Sequence, residues 1–454
     1  MRAATERPKP VLVPQFCKGC GRCIDACAHH CITAGTDVNP ASALIPVVLD
    51  LERCTACGLC FDACPEPYGL QPDHETPDRR RAPAAVPVPD TVAPLPEGEP
   101  LVVKGMYASA LGAIVAGCRH FFGYPITPST EGSELMAKFL PHLDGAFVQA
   151  VSEVAAINMM YGAAAAGVRS MTFTSSPGFS LMLEGLSYMI GARLPGVVVN
   201  VMRGGPGLGN IGPSQSDIKL ACRGLGHGDS HAIVLAPATP QEMLDLTALA
   251  FDLAFAYRNP VVVLADGYLG QMTGKVAMPR QLTRPGVPDW CTAGDAAHRG
   301  NVITSIFLNE TDLEANNREL FATYDDIHHA EQRAELVACE DADVLVVACN
   351  TPARMAKGAV SALRAAGIKA GLFRPITLWP FPVRALTPLL DRVDRIVVVE
   401  ASHRQLEDEL RLALSHAGAP PVPIERVNRY GGILPSHDEI VDAVVTIGGA
   451  EAAS

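Results

Sequence analysis

Eight cysteines near the N-terminus repeat one spacing twice. Each run has the pattern C-x2-C-x2-C-x3-C, and the two runs are Cys17, Cys20, Cys23, Cys27 and Cys54, Cys57, Cys60, Cys64. This spacing is typical of two [4Fe–4S] clusters, in which the fourth cysteine of each run binds the other run's cluster. Thiolates are soft ligands that suit iron–sulfur chemistry. The predicted ligands of the first cluster are Cys17, Cys20, Cys23 and Cys64, and those of the second are Cys54, Cys57, Cys60 and Cys27.

Two other uses of these cysteines fit the spacing less well. Structural zinc usually takes two separated C-x-x-C pairs, and disulfide scaffolds are typical of secreted chains. Residues 12–70 resemble a bacterial-type two-cluster ferredoxin, an α+β fold, and a domain is assigned to 1–70. Ala28 replaces the proline that usually follows the fourth cysteine of that family. A ninth cysteine, Cys31, lies outside the spacing and is predicted to be a small apolar residue.

Length and charge limit the possible classes of protein. A chain of 454 residues corresponds to roughly three domains. The formal net charge of −12 argues against a nucleic-acid partner. The sequence contains no signal peptide and no apolar run long enough to span a membrane, and fourteen cysteines then predict a cytoplasmic protein.

A proline-rich stretch separates the cysteine motifs from the rest of the chain. Residues 71–100 contain eight prolines and no apolar periodicity, which predicts a linker biased towards polyproline II. From residue 101, helical stretches alternate with short β-branched runs at 170–174, 197–202, 232–235 and 260–265. This alternation predicts a parallel α/β sheet covered on both faces.

A second α/β unit is predicted towards the C-terminus. Short buried strands at 344–349, 370–373 and 396–399 alternate with helices at 353–366 and 403–415. The predicted boundaries are 101–270 for the first α/β domain, 271–340 for a connection with some helix, and 341–454 for the second α/β domain. Ligands of such sheets bind beyond the carboxyl ends of the strands.

A glycine-rich loop after one predicted strand has three possible uses. Gly207-x-Gly209-x-x-Gly212 matches the spacing of the dinucleotide fingerprint. Pro206 and Pro213 flank it, and no alanine-rich helix follows, although that motif requires one. The alternatives are nicotinamide binding, a plain glycine-rich turn, or a loop for a different ligand.

Several motifs between residues 124 and 400 occur together in one order. They are YPITP at 124–128, SEVAAIN at 152–158, TSSPG at 174–178, NVMRGGP at 200–206, PSQSD at 213–217, RPITLWPFP at 374–382 and VE at 399–400. With these motifs, residues 101–450 resemble the α subunit of the 2-oxoacid:ferredoxin oxidoreductases, and the branched-chain 2-oxoacid type most of all. The resemblance implies a transketolase-like, thiamine-diphosphate-binding parallel-sheet domain followed by a C-terminal α/β domain.

The resemblance also implies roles for individual residues. Glu153 would hydrogen-bond the aminopyrimidine of thiamine diphosphate, and a buried carboxyl there can activate the cofactor. Arg203 would hold the substrate carboxylate with its two-pronged guanidinium, and Thr127 would add a hydroxyl to the same group. The residues implied to line the cofactor are Tyr124, Pro125, Ile126, Thr127, Pro128, Ser129, Glu153, Ser176, Pro177 and Gly178.

Half of a thiamine site is missing from this sequence. Thiamine diphosphate enzymes hold Mg²⁺ with a Gly-Asp-Gly signature, and the sequence contains none. The resemblance implies that a separate β subunit supplies that half with its own cluster, and that a γ subunit helps to bind coenzyme A. The predicted reaction is oxidative decarboxylation of a 2-oxoacid with coenzyme A to acyl-CoA, CO₂ and reduced ferredoxin.

Alternatives remain open for the substrate and for the function. The substrate could be a branched-chain 2-oxoacid, which is favoured, or 2-oxoglutarate, pyruvate or an aryl glyoxylate. The chain could instead be a relay or scaffold subunit without a catalytic site of its own. It could also belong to a non-oxidative thiamine-dependent decarboxylase, but eight cluster ligands argue against that function.

Overall fold

The computed structural model describes residues 7–66, 69–73, 88–295 and 297–451, and it describes side chains up to residue 446. The chain divides into two compact units, Met1–Ala84 and Ala85–Ser454. Within the described residues, no helix combines the length and the apolar character needed to cross a membrane.

The first unit is a small α+β domain. Its elements are β1 (Pro10–Leu12), α1 (Arg22–Ala26), β2 (Ile32–Ala34), β3 (Val47–Leu49), α2 (Leu59–Ala63) and β4 (Leu70–Pro72). Strands β1 and β4 pair antiparallel, as do β2 and β3. Gly21 and Gly58 precede the two helices with φ angles of 80° and 87°, a conformation that glycine adopts at little cost. Each cysteine run can therefore turn sharply from its loop into a short helix.

The second unit contains the remaining strands and helices. The strands are β5 (Thr91–Pro94), β6 (Leu101–Lys104), β7 (His120–Gly123), β8 (Ala146–Gln149), β9 (Ser170–Ser175), β10 (Gly196–Met202), β11 (Ile233–Leu235), β12 (Pro260–Asp266), β13 (Thr273–Val276), β14 (Gln281–Arg284), β15 (Ala334–Val337), β16 (Val344–Val347), β17 (Ala370–Pro375), β18 (Thr377–Trp379), β19 (Arg395–Glu400) and β20 (Ile424–Asn428). The helices are α3 (Gly105–Val115), α4 (Thr130–Phe139), α5 (Glu153–Ala165), α6 (Ser176–Gly191), α7 (Ile218–Arg223), α8 (Pro240–Tyr257), α9 (Gly267–Gln271), α10 (Glu310–Ala330), α11 (Asn350–Ala365), α12 (Val383–Leu386), α13 (Gln405–His416) and α14 (His437–Glu451).

The first sheet of this unit has seven strands in the order β18-β11-β12-β10-β9-β7-β8. All neighbours pair in parallel except β18, which pairs antiparallel with β11. Every residue of β9, β10 and β12 is buried, as expected for a parallel sheet covered by helices on both faces. The predicted parallel α/β fold is confirmed.

The second sheet has five strands in the order β15-β17-β16-β19-β20. Its strands are parallel apart from β15, which pairs antiparallel with β17. The predicted connection at 271–340 contains the 21-residue helix α10 as well as strands β13 and β14. Helix α10 covers the first sheet with Leu320, Tyr324 and Ile327.

The predicted linker differs from the structure at its C-terminal end. Its middle part, 74–87, lies outside the described residues. Strand β5, which lies inside the predicted linker, pairs antiparallel with β14. Asp90 forms an ion pair with the buried side chain of Arg169. This end of the proline-rich stretch is thus part of the second unit, because its backbone pairs with β14. The composition of the stretch alone does not indicate that pairing.

The strand order brings the predicted site residues to one edge. Strands β10, β9, β7 and β8 are consecutive neighbours in the first sheet. The residues that follow them are Arg203 after β10, Ser176 after β9, Tyr124 after β7 and Glu153 after β8. Parallel strands place their carboxyl ends at the same edge of a sheet, where ligands of such folds bind.

Candidate functional site

The eight motif cysteines of the first unit line two separate pockets. One pocket is lined by Cys17, Cys20, Cys23 and Cys64. The other is lined by Cys27, Cys54, Cys57 and Cys60. The fourth cysteine of each run therefore lies with the first three of the other run, which is the grouping that the spacing predicts.

The donor groups around each pocket suit an iron–sulfur cluster. All the cysteines are unpaired, and Cys20 and Cys57 are exposed while Cys23 and Cys60 are buried. Burial raises the pKa of the Cys60 thiol to about 11, and cysteine binds a metal as the thiolate. Four sulfurs around one pocket are the ligand set of a [4Fe–4S] cluster.

Cys31 lies beside the second pocket. It lines the same cavity as Cys27, and its backbone N–H donates to Cys27 Sγ at 3.3 Å. Its own Sγ donates to the His29 carbonyl at 3.7 Å. The thiol of Cys31 therefore has a partner in the protein, and its non-ligand role stays a prediction.

Glu153 starts α5 at the carboxyl edge of the first sheet. Only 5% of the residue is exposed, and within the described residues its carboxylate makes no hydrogen bond. Helix α6 approaches it closely at Gly178, where an added Cβ would lie 2.5 Å from Glu153 Oε1 and 2.4 Å from Thr174 Oγ1. Any side chain at 178 would collide with the carboxylate, so glycine is required there.

A carboxylate without a protein partner fits a ligand that supplies one. The Glu153 oxygens are not among the fully buried polar atoms that lack a partner, whereas Thr174 Oγ1 next to them is, and burying a polar group without a hydrogen bond is costly. Both groups would be satisfied by a polar ring with a hydrogen-bonding nitrogen. The residues around Glu153 therefore fit the aminopyrimidine of thiamine diphosphate.

The structure brings Arg203 and Thr127 together. Arg203 Nη1 donates to the Thr127 carbonyl at 2.7 Å, and its Nη2 donates to the Leu208 carbonyl at 3.3 Å. Its Nε is buried without a partner. Thr127 itself is exposed, and its joint contact with a substrate carboxylate stays a prediction.

The turn before α4 has a shape fixed by its own hydrogen bonds. Ser129 donates to the Ile126 carbonyl from its backbone nitrogen at 3.0 Å and from its Oγ at 2.8 Å. Gln271 Nε2 donates to the Pro128 carbonyl at 3.2 Å. Tyr124 and Pro125 are exposed. A stiff turn with two exposed rings can line a ligand, and the lining role of 124–129 stays a prediction.

A cavity of about 550 Å³ lies between the loops of the two sheets. Its wall includes Ser176, Pro177, Arg203, Asp217, Ser402, His403 and Tyr430. On the side of the second sheet, Glu400 Oε2 accepts from the backbone nitrogens of Gln405 and Leu406, each at 2.9 Å. This cap on α13 fixes the segment that carries Ser402 and His403.

Asp217 is a buried carboxylate that sequence reasoning did not select. Its Oδ2 accepts from Ser176 Oγ at 2.6 Å and from Asn200 Nδ2 at 2.9 Å. Burial raises the pKa of Asp217, and the two hydrogen bonds oppose that rise. Asp217 and Asn200 both occur in the quoted motifs, but nothing in the sequence indicates that they meet.

The glycine-rich loop is a turn and not a dinucleotide fingerprint. Gly207 and Gly209 have φ angles of 72° and 51°, and the next helix, α7, begins only at Ile218. The fingerprint requires a helix N-terminus at its last glycine. Asn210 Nδ2 donates to the Gly431 carbonyl at 2.8 Å, so the loop connects the two sheets instead.

Comparison with known proteins identifies the family. Residues 111–335 match the thiamine diphosphate-binding domain of pyruvate flavodoxin/ferredoxin oxidoreductases, 342–440 match core domain II of pyruvate:ferredoxin oxidoreductase, and 16–67 match a 4Fe-4S dicluster domain. The chain is 45% identical over 350 residues to the ketoisovalerate oxidoreductase subunit VorB of Methanothermobacter thermautotrophicus, covering 77% of this chain and 98% of that one. The chain belongs to the 2-oxoacid:ferredoxin oxidoreductase α-subunit family.

Other members are similar over the same region. The 2-oxoglutarate synthase subunit KorA of Archaeoglobus fulgidus is 39% identical over 322 residues, covering 68% of this chain and 90% of that one. A solved 2-oxoglutarate:ferredoxin oxidoreductase from Magnetococcus marinus, with 2-oxoglutarate, coenzyme A and succinyl-CoA bound, superposes with a TM-score of 0.71 at 28% identity. That match covers 77% of this chain, and the chain spans 65% of the length of that structure.

The family confirms several predictions made from the sequence. The chain is a subunit of a ferredoxin-dependent 2-oxoacid oxidoreductase with an N-terminal 4Fe-4S dicluster domain and a thiamine diphosphate-binding domain. Its relatives are named subunits, so this oxidoreductase chain works in a complex with other subunits. The roles of individual site residues stay predictions.

Proposed function

We propose that this chain is the α subunit of an enzyme that converts a branched-chain 2-oxoacid and coenzyme A to acyl-CoA, CO₂ and reduced ferredoxin. The observation that carries the proposal is Glu153, a largely buried residue whose carboxylate has no hydrogen-bond partner within the described residues, at the sheet edge that also carries Arg203. The similarity to a ketoisovalerate oxidoreductase subunit supports the branched-chain substrate.

Glu153 and Arg203 have different tasks in this proposal. Thiamine diphosphate, when bound, supplies an electron sink for the loss of CO₂ from a 2-oxoacid. Glu153 would hydrogen-bond its aminopyrimidine, and Gly178 would leave the space for that carboxylate. Arg203 would bind the substrate carboxylate with the donors that the Thr127 and Leu208 carbonyls leave free. Thr127 would donate its hydroxyl to the same carboxylate.

A β-type subunit would cover the surface around Glu153. Val151 is 89% exposed, Leu181 52% and Val154 43%, and these side chains flank Glu153 and the start of α6 along the chain. Exposed apolar side chains in one region are typical of an interface. The missing Gly-Asp-Gly signature agrees with a partner that supplies Mg²⁺ and the diphosphate site. A γ subunit, ferredoxin as acceptor and a cytoplasmic location complete the proposal.

The isolated chain is expected to turn over no 2-oxoacid, and activity is expected only with a β-type partner. The reason is that this chain carries the aminopyrimidine half of the site and lacks the Gly-Asp-Gly half. The measurement is coenzyme A-dependent ferredoxin reduction over a panel of branched-chain 2-oxoacids, 2-oxoglutarate, pyruvate and phenylglyoxylate. A purified chain that decarboxylates alone would contradict the half-site, and a highest kcat/KM for 2-oxoglutarate would contradict the branched-chain substrate.

We propose that Cys17, Cys20, Cys23 and Cys64 bind one [4Fe–4S] cluster and that Cys27, Cys54, Cys57 and Cys60 bind the other. Anaerobically purified chain is then expected to contain about eight iron atoms. Cys20→Ala should lower this content, because it removes one of four thiolates from a cluster. Cys31→Ala is the matched control and should leave the iron content unchanged. Loss of iron in Cys31→Ala, or about four irons in the unaltered chain, would overturn the assignment.

A further inference from the structure

The backbone of Arg203 is tied to a buried carboxylate through one hydroxyl. Arg203 N donates to Ser176 Oγ at 3.0 Å, and Ser176 Oγ donates to Asp217 Oδ2 at 2.6 Å. A hydroxyl has a single proton, so the carboxylate fixes which way that proton points. With the proton on the Asp217 side, a lone pair of Ser176 faces the Arg203 N–H.

Asp217 is itself held in place. Asn200 Nδ2 donates to the same Oδ2 at 2.9 Å, and Asn200 is fully buried in β10. Only 9% of Asp217 is exposed. Hydrogen bonds to a charged acceptor are shorter and roughly twice as strong as neutral ones. The hydrogen bonds that link Asn200, Asp217 and Ser176 therefore form a rigid support at the end of β10, the strand that leads into Arg203.

The position of the Arg203 guanidinium depends on the position of the Arg203 backbone. Its two bonds reach the carbonyls of Thr127 and Leu208, at 2.7 and 3.3 Å. Both acceptors are on exposed loops, whereas the bond from Arg203 N ends on the half-buried Ser176, which in turn bonds the buried Asp217. A shift of the Arg203 backbone would move the fork away from Thr127, and misplacing a binding group by about 1 Å can cost on the order of a hundredfold in rate.

We propose that Asp217 is a positioning residue that, through the hydroxyl of Ser176, sets the place and direction of the Arg203 guanidinium for the 2-oxoacid carboxylate. This inference rests on the proposed function of Arg203. It also changes the interpretation of Ser176, whose donor is used within the protein and is not free for the cofactor. Asp217 does not touch the substrate in this account.

The kinetic test uses the assembled complex and a branched-chain 2-oxoacid. Asp217→Ala and Ser176→Ala should each raise KM roughly tenfold with a smaller change in kcat, and Ser176→Thr, which keeps the hydroxyl, should restore KM. Asp217→Ala combined with Arg203→Lys should lose no more kcat/KM than the larger single change, because residues that act through one another are not additive. Losses that multiply would overturn the proposal.

Asp245→Asn is the matched control, because this α8 carboxylate accepts from Gln241 Nε2 at 2.9 Å and lies outside the cavity wall. It should keep the wild-type KM. If Asp217→Ala prevents assembly, Ser176→Ala and Ser176→Thr carry the test, since they change one small side chain. An unchanged KM in Ser176→Ala, together with a raised KM in Arg203→Lys, would overturn the positioning role of Asp217.

A second measurement does not depend on activity. Cryo-electron microscopy of the Asp217→Ala and Ser176→Ala complexes should show the Arg203 guanidinium displaced from the Thr127 carbonyl. An Arg203 guanidinium in its original place in both complexes would overturn the positioning role of Asp217. A displaced guanidinium, with KM unchanged in these variants and in Arg203→Lys, would instead uphold the positioning role of Asp217 and overturn the proposed substrate role of Arg203. The two failures are thereby distinguished.

Discussion

Glu153→Ala is expected to lower kcat by roughly 10²–10⁴-fold for every 2-oxoacid that the assembled complex accepts. Glu153 is 5% exposed and its carboxylate has no hydrogen-bond partner among the described residues, so the carboxylate is available to hydrogen-bond a bound group. A residue that acts on the cofactor affects all substrates alike, because the cofactor takes part in every turnover. KM should change little, since the proposed contacts of the substrate carboxylate are Arg203 and Thr127.

Steady-state ferredoxin reduction over the substrate panel measures this effect. Glu134→Ala is the matched control, because this exposed glutamate of α4 lies outside the site and should leave kcat unchanged. Thiamine diphosphate content should be measured in the same preparations, so that a loss of cofactor is separated from a loss of activation. Wild-type rates for Glu153→Ala would show that Glu153 has no role in thiamine chemistry. They would favour the alternative that this chain is a relay or scaffold subunit without a catalytic site of its own.

Arg203→Lys is expected to lower kcat/KM about tenfold to hundredfold, chiefly through KM. A lost charge-assisted hydrogen bond is worth roughly 1.5–3 kcal/mol. Lysine keeps the charge but has no planar fork, so it cannot bond the Thr127 carbonyl and grip a carboxylate with the geometry of arginine. If the contact tightens in the transition state, kcat will fall as well.

The comparison between the two variants is the decisive result. Glu153→Ala should act mainly on kcat, and Arg203→Lys mainly on KM, over the same substrate panel. Arg384→Lys is the matched control, because this exposed arginine also donates to a carbonyl, that of His328 at 3.0 Å, and lies outside the site. An Arg203→Lys enzyme with wild-type kinetics for all substrates would remove Arg203 from substrate binding.

The ferredoxin unit shows how much a local pattern can determine. The pairing of each fourth cysteine with the other run follows from spacing alone, and the two pockets have that composition. The reason is that three of the four predicted ligands lie within one short loop and helix, so chain geometry leaves few other arrangements. The alternation of strands and helices could also be predicted from local sequence. A strand buried on both faces of a parallel sheet needs an apolar run such as Val197–Val199.

The tertiary structure decided which groups meet. Arg203 contacts the Thr127 carbonyl across 76 residues of sequence, and Ser176 meets Asp217 across 41. These contacts depend on the strand order β10-β9-β7-β8, which no single segment encodes. The same holds for β5, whose proline-rich sequence indicates a linker until its partner β14 is known. Sequence motifs therefore determined the family and predicted the cluster ligands and the candidate residues. Long-range pairing determined the hydrogen bonds that hold the Arg203 backbone, because hydrogen-bond partners far apart in sequence are selected by the packing of the whole sheet.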